Sequence, residues 1–157
     1  MTSKYGPWGI VAGGSDGVGV AFAHAMAASG INVVLVARRV AVLEASADEL
    51  RKRHGVEVRT VALDLSGSDA VSQLADVTSD LEIGLFIYNA GSDDRMGAFL
   101  DRDLDAQLGL VHRNCASVLE AAYRFGAPMV ARGRGAMVLV TSGGDDAVPP
   151  VSQPSQW

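Results

Sequence analysis

Residues 12–19 read "AGGSDGVG", with glycines at 13, 17 and 19 lying between a short apolar run and an Ala-rich stretch. The first glycine allows a turn out of a strand, and the later two let the N–H groups at a helix start approach a bulky anion such as a pyrophosphate. The spacing is G-x-x-x-G-x-G. It is not the G-x-x-x-x-G-K-[ST] loop, because no Lys follows, and Phe22 stands where G-x-G-x-x-G would put its third glycine. A tight structural turn is the competing reading of the glycines alone; a strand before and a helix after favour the anion. Ser15 and Val18 complete the loop as candidate contacts, and Asp16 brings a negative charge close to the same place.

A second group stands in "VLVARRVAVL". An acidic side chain about 20 positions past the glycines would hold the ribose hydroxyls of a dinucleotide and repel a 2′-phosphate. Ala37 occupies that position and Arg38-Arg39 follow. A missing carboxylate beside two guanidiniums suits a phosphate in fork geometry, which favours NADP(H) over NAD. The alternative is an exposed first turn of a helix, where basic residues oppose the helix dipole. A third group is "AMVLVTSGGDD", an apolar run that ends on Thr141 and Ser142 before two glycines. A strand end of this kind presents a hydroxyl to a cleft, although Ser before Gly-Gly is also plain turn chemistry.

These groups need a scaffold, and the hydrophobic pattern supplies one. Apolar runs at 8–13, 31–37, 56–65, 82–90 and 135–142 are rich in Val, Ile and Leu, and most are too continuous for one-sided strands. Helical stretches lie between them at roughly 17–29, 38–54, 67–79 and 103–132, the last with a candidate interruption at Gly126-Ala127-Pro128. Strand and helix alternating with right-handed crossovers predict a doubly wound parallel sheet with helices on both faces. The expected division is one domain over residues 1–148 and an irregular tail over 149–157, where "PPVSQPSQW" has no period.

Composition sets the broad class. The 157 residues are 48% apolar and 20% charged, as a folded water-facing domain requires. A net charge of −5 argues against nucleic acid or an anionic membrane surface as a partner, since both need a basic face. The runs Arg51-Lys52-Arg53 and Arg132-Gly133-Arg134 read as solvated helix ends. The single Cys115 reads as a buried small hydrophobe in a reducing compartment. His24, His54 and His112 are far apart in sequence and lack a ligand partner at metal-binding spacing. No run reaches the ~18 apolar residues of a membrane span, and the expected location is cytoplasmic.

Taken together, the residues resemble the classical short-chain dehydrogenase/reductase family over nearly the whole chain, to about Val148. Its landmarks occur in order: "AGGSDGVG" for T-G-x-x-x-G-x-G, "ARR" after strand two, "LDLS" after strand three, "YNAG" for N-N-A-G, an Asn in the long helix, and "VLVTS". Ala12 replaces the usual Thr, and Tyr88 the first Asn. The resemblance implies a Rossmann-type three-layer αβα fold with sheet order 3-2-1-4-5 and NADPH-linked interconversion of a small-molecule carbonyl and alcohol. It assigns the pyrophosphate to Gly13, Gly17 and Gly19, and the 2′-phosphate to Arg38. Asp64 with Leu65 falls to the adenine, Asn89-Ala90-Gly91 to the cofactor ribose side, and Asn114 with Ser142 to the active site. Each also has a bland reading: turn former, strand-end cap, or polar residue on a half-exposed helix.

The family's Tyr-x-x-x-Lys pair would follow Ser142, and counting forward places the tyrosine at Ser155. Tyr5, Tyr88 and Tyr123 are the only tyrosines and none has Lys four residues on; the only lysines are Lys4 and Lys52. The expectation is a chain truncated before that pair, impaired or inactive, with an incomplete C-terminal sheet edge. The apolar side of helix 103–132, including Leu110, Val111, Val118 and Leu119, then lacks cover, and homo-oligomerisation is expected. The alternatives are a non-catalytic NADP-binding or dimerisation module and, more distantly, a nucleoside-cofactor methyltransferase.

Overall fold

Five parallel strands form one sheet in the order β3-β2-β1-β4-β5 in the computed structural model, which describes residues 2–91 and 98–141. The elements run α1 (Thr2–Tyr5), β1 (Trp8–Ala12), α2 (Gly17–Ala28), β2 (Asn32–Ala37), α3 (Val40–His54), β3 (Val58–Ala62), α4 (Ala70–Val77) and β4 (Ile83–Tyr88). A 3-10 turn (Phe99–Asp101) then leads into α5 (Leu104–Val111), a π-turn (His112–Ala116), α6 (Ser117–Ala131) and β5 (Ala136–Leu139). Strand order and parallel pairing are those expected of the Rossmann-type fold. Ser142 and the tail 149–157 lie outside the described residues.

The continuous apolar runs are explained by burial on both faces. Along β1 and β2, Ile10, Ala12, Val34 and Val36 point into one core with Phe86 and Tyr88 of β4. Val11, Val33, Leu35, Leu85 and Ile87 point into the other. The first core is closed by Val71 and Leu74 of α4 and by Ala121, Phe125 and Met129 of α6. The second is closed by Ala23 and Met26 of α2 and by Leu43, Ala47 and Leu50 of α3. This is the αβα sandwich that period-2 alternation produces when both sheet faces are dry.

Several local expectations are corrected. The long helix continues through Pro128, whose missing N–H withholds one donor from the carbonyl of Arg124 without ending the helix; the irregularity lies instead at the π-turn His112–Ala116. α4 is shorter than 67–79, because residues 65–69 form turns (Gly67 N–H to Asp64 O, 3.2 Å) and the buried Thr78 hydroxyl donates to Leu74 O at 2.7 Å where the helix ends. Cys115 is exposed, on the solvent side of the π-turn. His24 and His54 meet at 2.9 Å because α2 and α3 pack on the same sheet face. Arg132 is not simply solvated: its Nη2 donates to Ile83 O at 2.6 Å, and Arg134 pairs with Glu82. Val118 packs against the first core, whereas Val111 and Leu119 are exposed as expected. Among the described residues no helix is long and apolar enough to cross a membrane.

Phe86 is the keystone of the first core. It is fully buried, stacks near Tyr88 (ring centroids 6.4 Å) and touches Phe125 of α6 (4.8 Å), so it ties the long helix to the central sheet. Phe86→Ala is expected to cost about 3–5 kcal/mol, the usual penalty for an aromatic-sized core cavity, as measured by denaturant unfolding.

Candidate functional site

The strands of a parallel sheet all end on one side, and the loops leaving β1, β2, β3 and β4 converge there. They enclose a cavity of about 440 Å³ lined by Gly13, Ser15, Asp16, Arg38, Arg39, Asp64, Leu65, Asn89, Ala90, Gly91 and Arg113, among others. Nine of the residues singled out from the sequence for a cofactor are therefore brought to one wall or another of one cavity. Gly17 and Val18 stand in the exposed first turn of α2 beside it, and Gly19 is buried behind it.

The glycine loop is built by close approach. Gly13 has φ +84°, and a Cβ there would meet Ala90 N at 2.9 Å. A Cβ at Gly19 would lie 2.0 Å from Gly13 O, so no larger residue fits while the loop holds this shape. Asn89 closes the contact: its Nδ2 donates to Gly13 O at 3.2 Å and its N–H to Ala12 O at 2.9 Å. The Gly13 and Gly14 N–H groups both donate to Val36 O, at 2.8 and 3.2 Å, which fastens the loop to the end of β2. The start of α2 is thus left facing the cavity rim, with its N-terminal partial positive charge.

Arg38 and Arg39 follow β2 directly and are both exposed at the rim. Arg38 Nη1 stands 4.0 Å from Asp64 Oδ2, and Arg39 Nη2 stands 3.5 Å from Asp16 Oδ2. β2 itself ends on Ala37 with no carboxylate. Asp64 Oδ1 accepts from the Ser66 N–H at 3.0 Å, which makes a compact turn after β3.

The far wall is held by residues that sequence reasoning missed. Buried Ser117 donates to Leu65 O at 2.8 Å, and Arg113 Nη1 reaches Ser66 Oγ at 3.4 Å, so the long helix grips the turn after β3. The Tyr88 hydroxyl donates to Arg113 O at 2.7 Å, which ties the π-turn to the end of β4. Their signal was faint: Arg113 and Ser117 share a helix face at i, i+4. Tyr88, which stands where the resembled family has an asparagine, is thus a wall-holding residue through its hydroxyl. Asn114 lies in the π-turn itself, exposed, with Nδ2 donating to Leu110 O at 2.9 Å. A Cβ on Gly91 would come within 2.8 Å of its Oδ1, so Asn114 adjoins the end of β4.

The polar wall, the glycines that admit no Cβ and the two rim guanidiniums suit a polyanionic ligand. Among the described residues no cluster of three metal-ligating side chains is present.

The chain matches the family model for short chain dehydrogenases over residues 8–152, and it belongs to that family of oxidoreductases. It is 32% identical over 142 residues to the 7beta-hydroxysteroid dehydrogenase of Collinsella aerofaciens, an alignment covering 90% of this chain and 54% of that one. A solved structure concerned with 7beta-hydroxysteroid dehydrogenase stereoselectivity superposes with a TM-score of 0.85 at 32% identity, over 90% of this chain and 54% of the other. A short-chain dehydrogenase from Sphingobium yanoikuyae in complex with NADPH gives 0.80 at 30% identity, over 87% and 54%. The chain spans about half the length of the curated relatives it matches.

Burial raises the Tyr88 phenol from its ordinary value of 10.0 to about 12, against smaller lowering effects of the neighbouring Ser117 hydroxyl and the Arg113 charge. The folded protein therefore holds this proton more tightly than the unfolded chain does. The stability so contributed is fully present below pH 10 and is lost as pH rises through about 12. Tyr88→Phe is expected to remove that alkaline slope and to cost about 1–3 kcal/mol at neutral pH by leaving the Arg113 carbonyl short of its donor, as measured by unfolding at several pH values.

Proposed function

We propose that this chain supplies the NADP-binding half of a reductase that interconverts a carbonyl and an alcohol by hydride transfer. The carrying observation is the pair Arg38-Arg39 at the cavity rim immediately after a β2 that ends without a carboxylate. A 2′-phosphate meets guanidinium donors there, whereas NADH would find no acidic partner from β2 for its ribose hydroxyls. The NADPH complex of a structural relative supports the same reading. On this reading Gly13, Ser15, Gly17, Val18 and Gly19 face the pyrophosphate, Asp64 and Leu65 the adenine, and Asn89, Ala90 and Gly91 the nicotinamide side.

Bound in this cavity, NADPH supplies the hydride. Asn114, next to Gly91, is in place to order the nicotinamide end of the site. Ser142 falls to hydrogen bonding the substrate oxygen; it lies outside the described residues. The oxygen that receives negative charge also needs a proton donor, and a positioned acid contributes about 10²–10⁴ in rate. The 157 residues hold no Tyr-x-x-x-Lys pair, and a serine hydroxyl holds its proton too tightly to replace one. These residues alone are thus proposed to bind cofactor and to turn over poorly or not at all. The exposed stripe Leu108, Val111, Leu119 and Tyr123 along the long helix supports self-association as well.

Titration of the 157-residue protein by fluorescence or calorimetry is expected to give tighter binding of NADPH than of NADH. Arg38→Ala should weaken NADPH about tenfold or more and leave NADH nearly unchanged, since one charge-assisted hydrogen bond is lost. Equal binding of the two dinucleotides would sink the NADP reading. Carbonyl-dependent NADPH oxidation is expected to stay at the enzyme-free rate; turnover that Ser142→Ala abolishes would show that the pair is dispensable.

A further inference from the structure

The π-turn between α5 and α6 exchanges one backbone donor for a side-chain donor. Its Ser117 N–H donates to His112 O, five residues back, where an α-helix would deliver it to Arg113 O, four residues back. Arg113 O receives the Tyr88 hydroxyl at 2.7 Å. Burial pushes the Tyr88 phenol up to about 12, so the hydroxyl keeps its proton at neutral pH and stays a donor. Its ring sits in the first core beside Phe86, which fixes where that donor stands. The same turn carries Asn114. Nδ2 of Asn114 donates to Leu110 O at 2.9 Å, and Oδ1 lies so near the end of β4 that a Cβ on Gly91 would come within 2.8 Å of it.

We propose that Tyr88 is a positioning residue for the nicotinamide end of the site: its hydroxyl holds the π form of this turn and thereby keeps Asn114 against Gly91. The inference rests on the reading of the cavity as a dinucleotide site whose nicotinamide end Asn114 orders. Without the hydroxyl, Arg113 O regains a donor when the Ser117 N–H returns to it and the turn closes to an α-helix. α6 cannot absorb that change. Ala121, Phe125 and Met129 seat it in the core, and the Ser117 hydroxyl fastens its start to Leu65 O at 2.8 Å. The residues before Ser117 must rotate instead. Removing the extra residue from the turn swings them by up to about 100° around the helix axis, which takes Asn114 away from Gly91. Apparent cofactor affinity then follows the fraction of molecules in which the turn keeps its π form.

Tyr88→Phe removes one oxygen and leaves the ring in the core. Thermal unfolding without ligand sets a temperature at which the variant is fully folded, and every comparison is made there. In 15N spectra of the ligand-free protein, the Asn114 side-chain amide and the backbone amides of residues 112–117 are expected to shift, while those of β1 and α2 stay in place. NADPH and NADH affinity should fall by a similar factor, about threefold to tenfold, because the turn acts on a part that the two cofactors share. That equal loss sets Tyr88 apart from Arg38, whose removal weakens NADPH alone. A role confined to stability lowers the unfolding midpoint and leaves the Asn114 amide and both affinities of the folded variant unchanged; that result overturns the inference. If wild type binds dinucleotide and Tyr88→Phe binds it equally well, only this inference falls. If wild type binds neither dinucleotide, the reading of the cavity falls and takes the inference with it.

Discussion

The site depends on the approach of the loop after β1 to the end of β4. Gly13, Gly19 and Asn89 belong to three different elements, yet Gly13 O receives the Asn89 side chain and leaves no room for a Cβ at Gly19. That contact places the start of α2 at the cavity and holds the end of β4 beside it. It is possible only because β1 and β4 are adjacent and parallel, so that both strands end at the same level. A parallel pair cannot be joined by a tight turn, and the chain must cross over through helices. The crossovers supply α2, α3 and α4, and the helices bury both faces of the sheet.

Charge at the rim is arranged differently from charge in the core. The two cores hold almost no polar groups, and the exceptions, Thr78 and Ser117, each donate to a backbone carbonyl. Ser117 shows how an inward-facing hydroxyl becomes useful: it fixes Leu65, and with it one wall of the cavity, at no cost in unsatisfied polar atoms. At the rim, Arg38 and Arg39 meet Asp64 and Asp16 at longer range and in solvent, where ion pairs are weak and exchangeable. A rigid interior therefore carries a rim whose partners can change.

The long helix is where reading by periodicity fell short. Its apolar pattern was plain, and Gly126-Ala127-Pro128 looked like its weak point. The helix nevertheless continues there and changes register at His112–Ala116, in a stretch with no Gly or Pro. The Tyr88 hydroxyl, at the end of β4, donates to Arg113 O within that stretch, and Asn114 of the turn itself donates back to Leu110 O. A contact from outside the helix thus helps hold the irregular turn, and the turn's own sequence carries no mark of it. Cys115 is exposed for the same reason: a turn with extra residues rotates the side chains away from the face that periodicity assigns.

The sequence by itself determined the strands, the glycine loop and the arginine pair from local signals: continuous apolar runs, glycine spacing between a strand and a helix, and charges counted from it. The order of the sheet was legible only through the family that these residues resemble. Only the tertiary structure decided that Asp16 faces Arg39, that Arg113 and Ser117 grip the turn after β3, that Tyr88 holds the π-turn, and that His24 meets His54. Each of these pairs joins residues from different elements. Their meeting depends on how helices seat on the sheet, a property of packing that no spacing along the chain records.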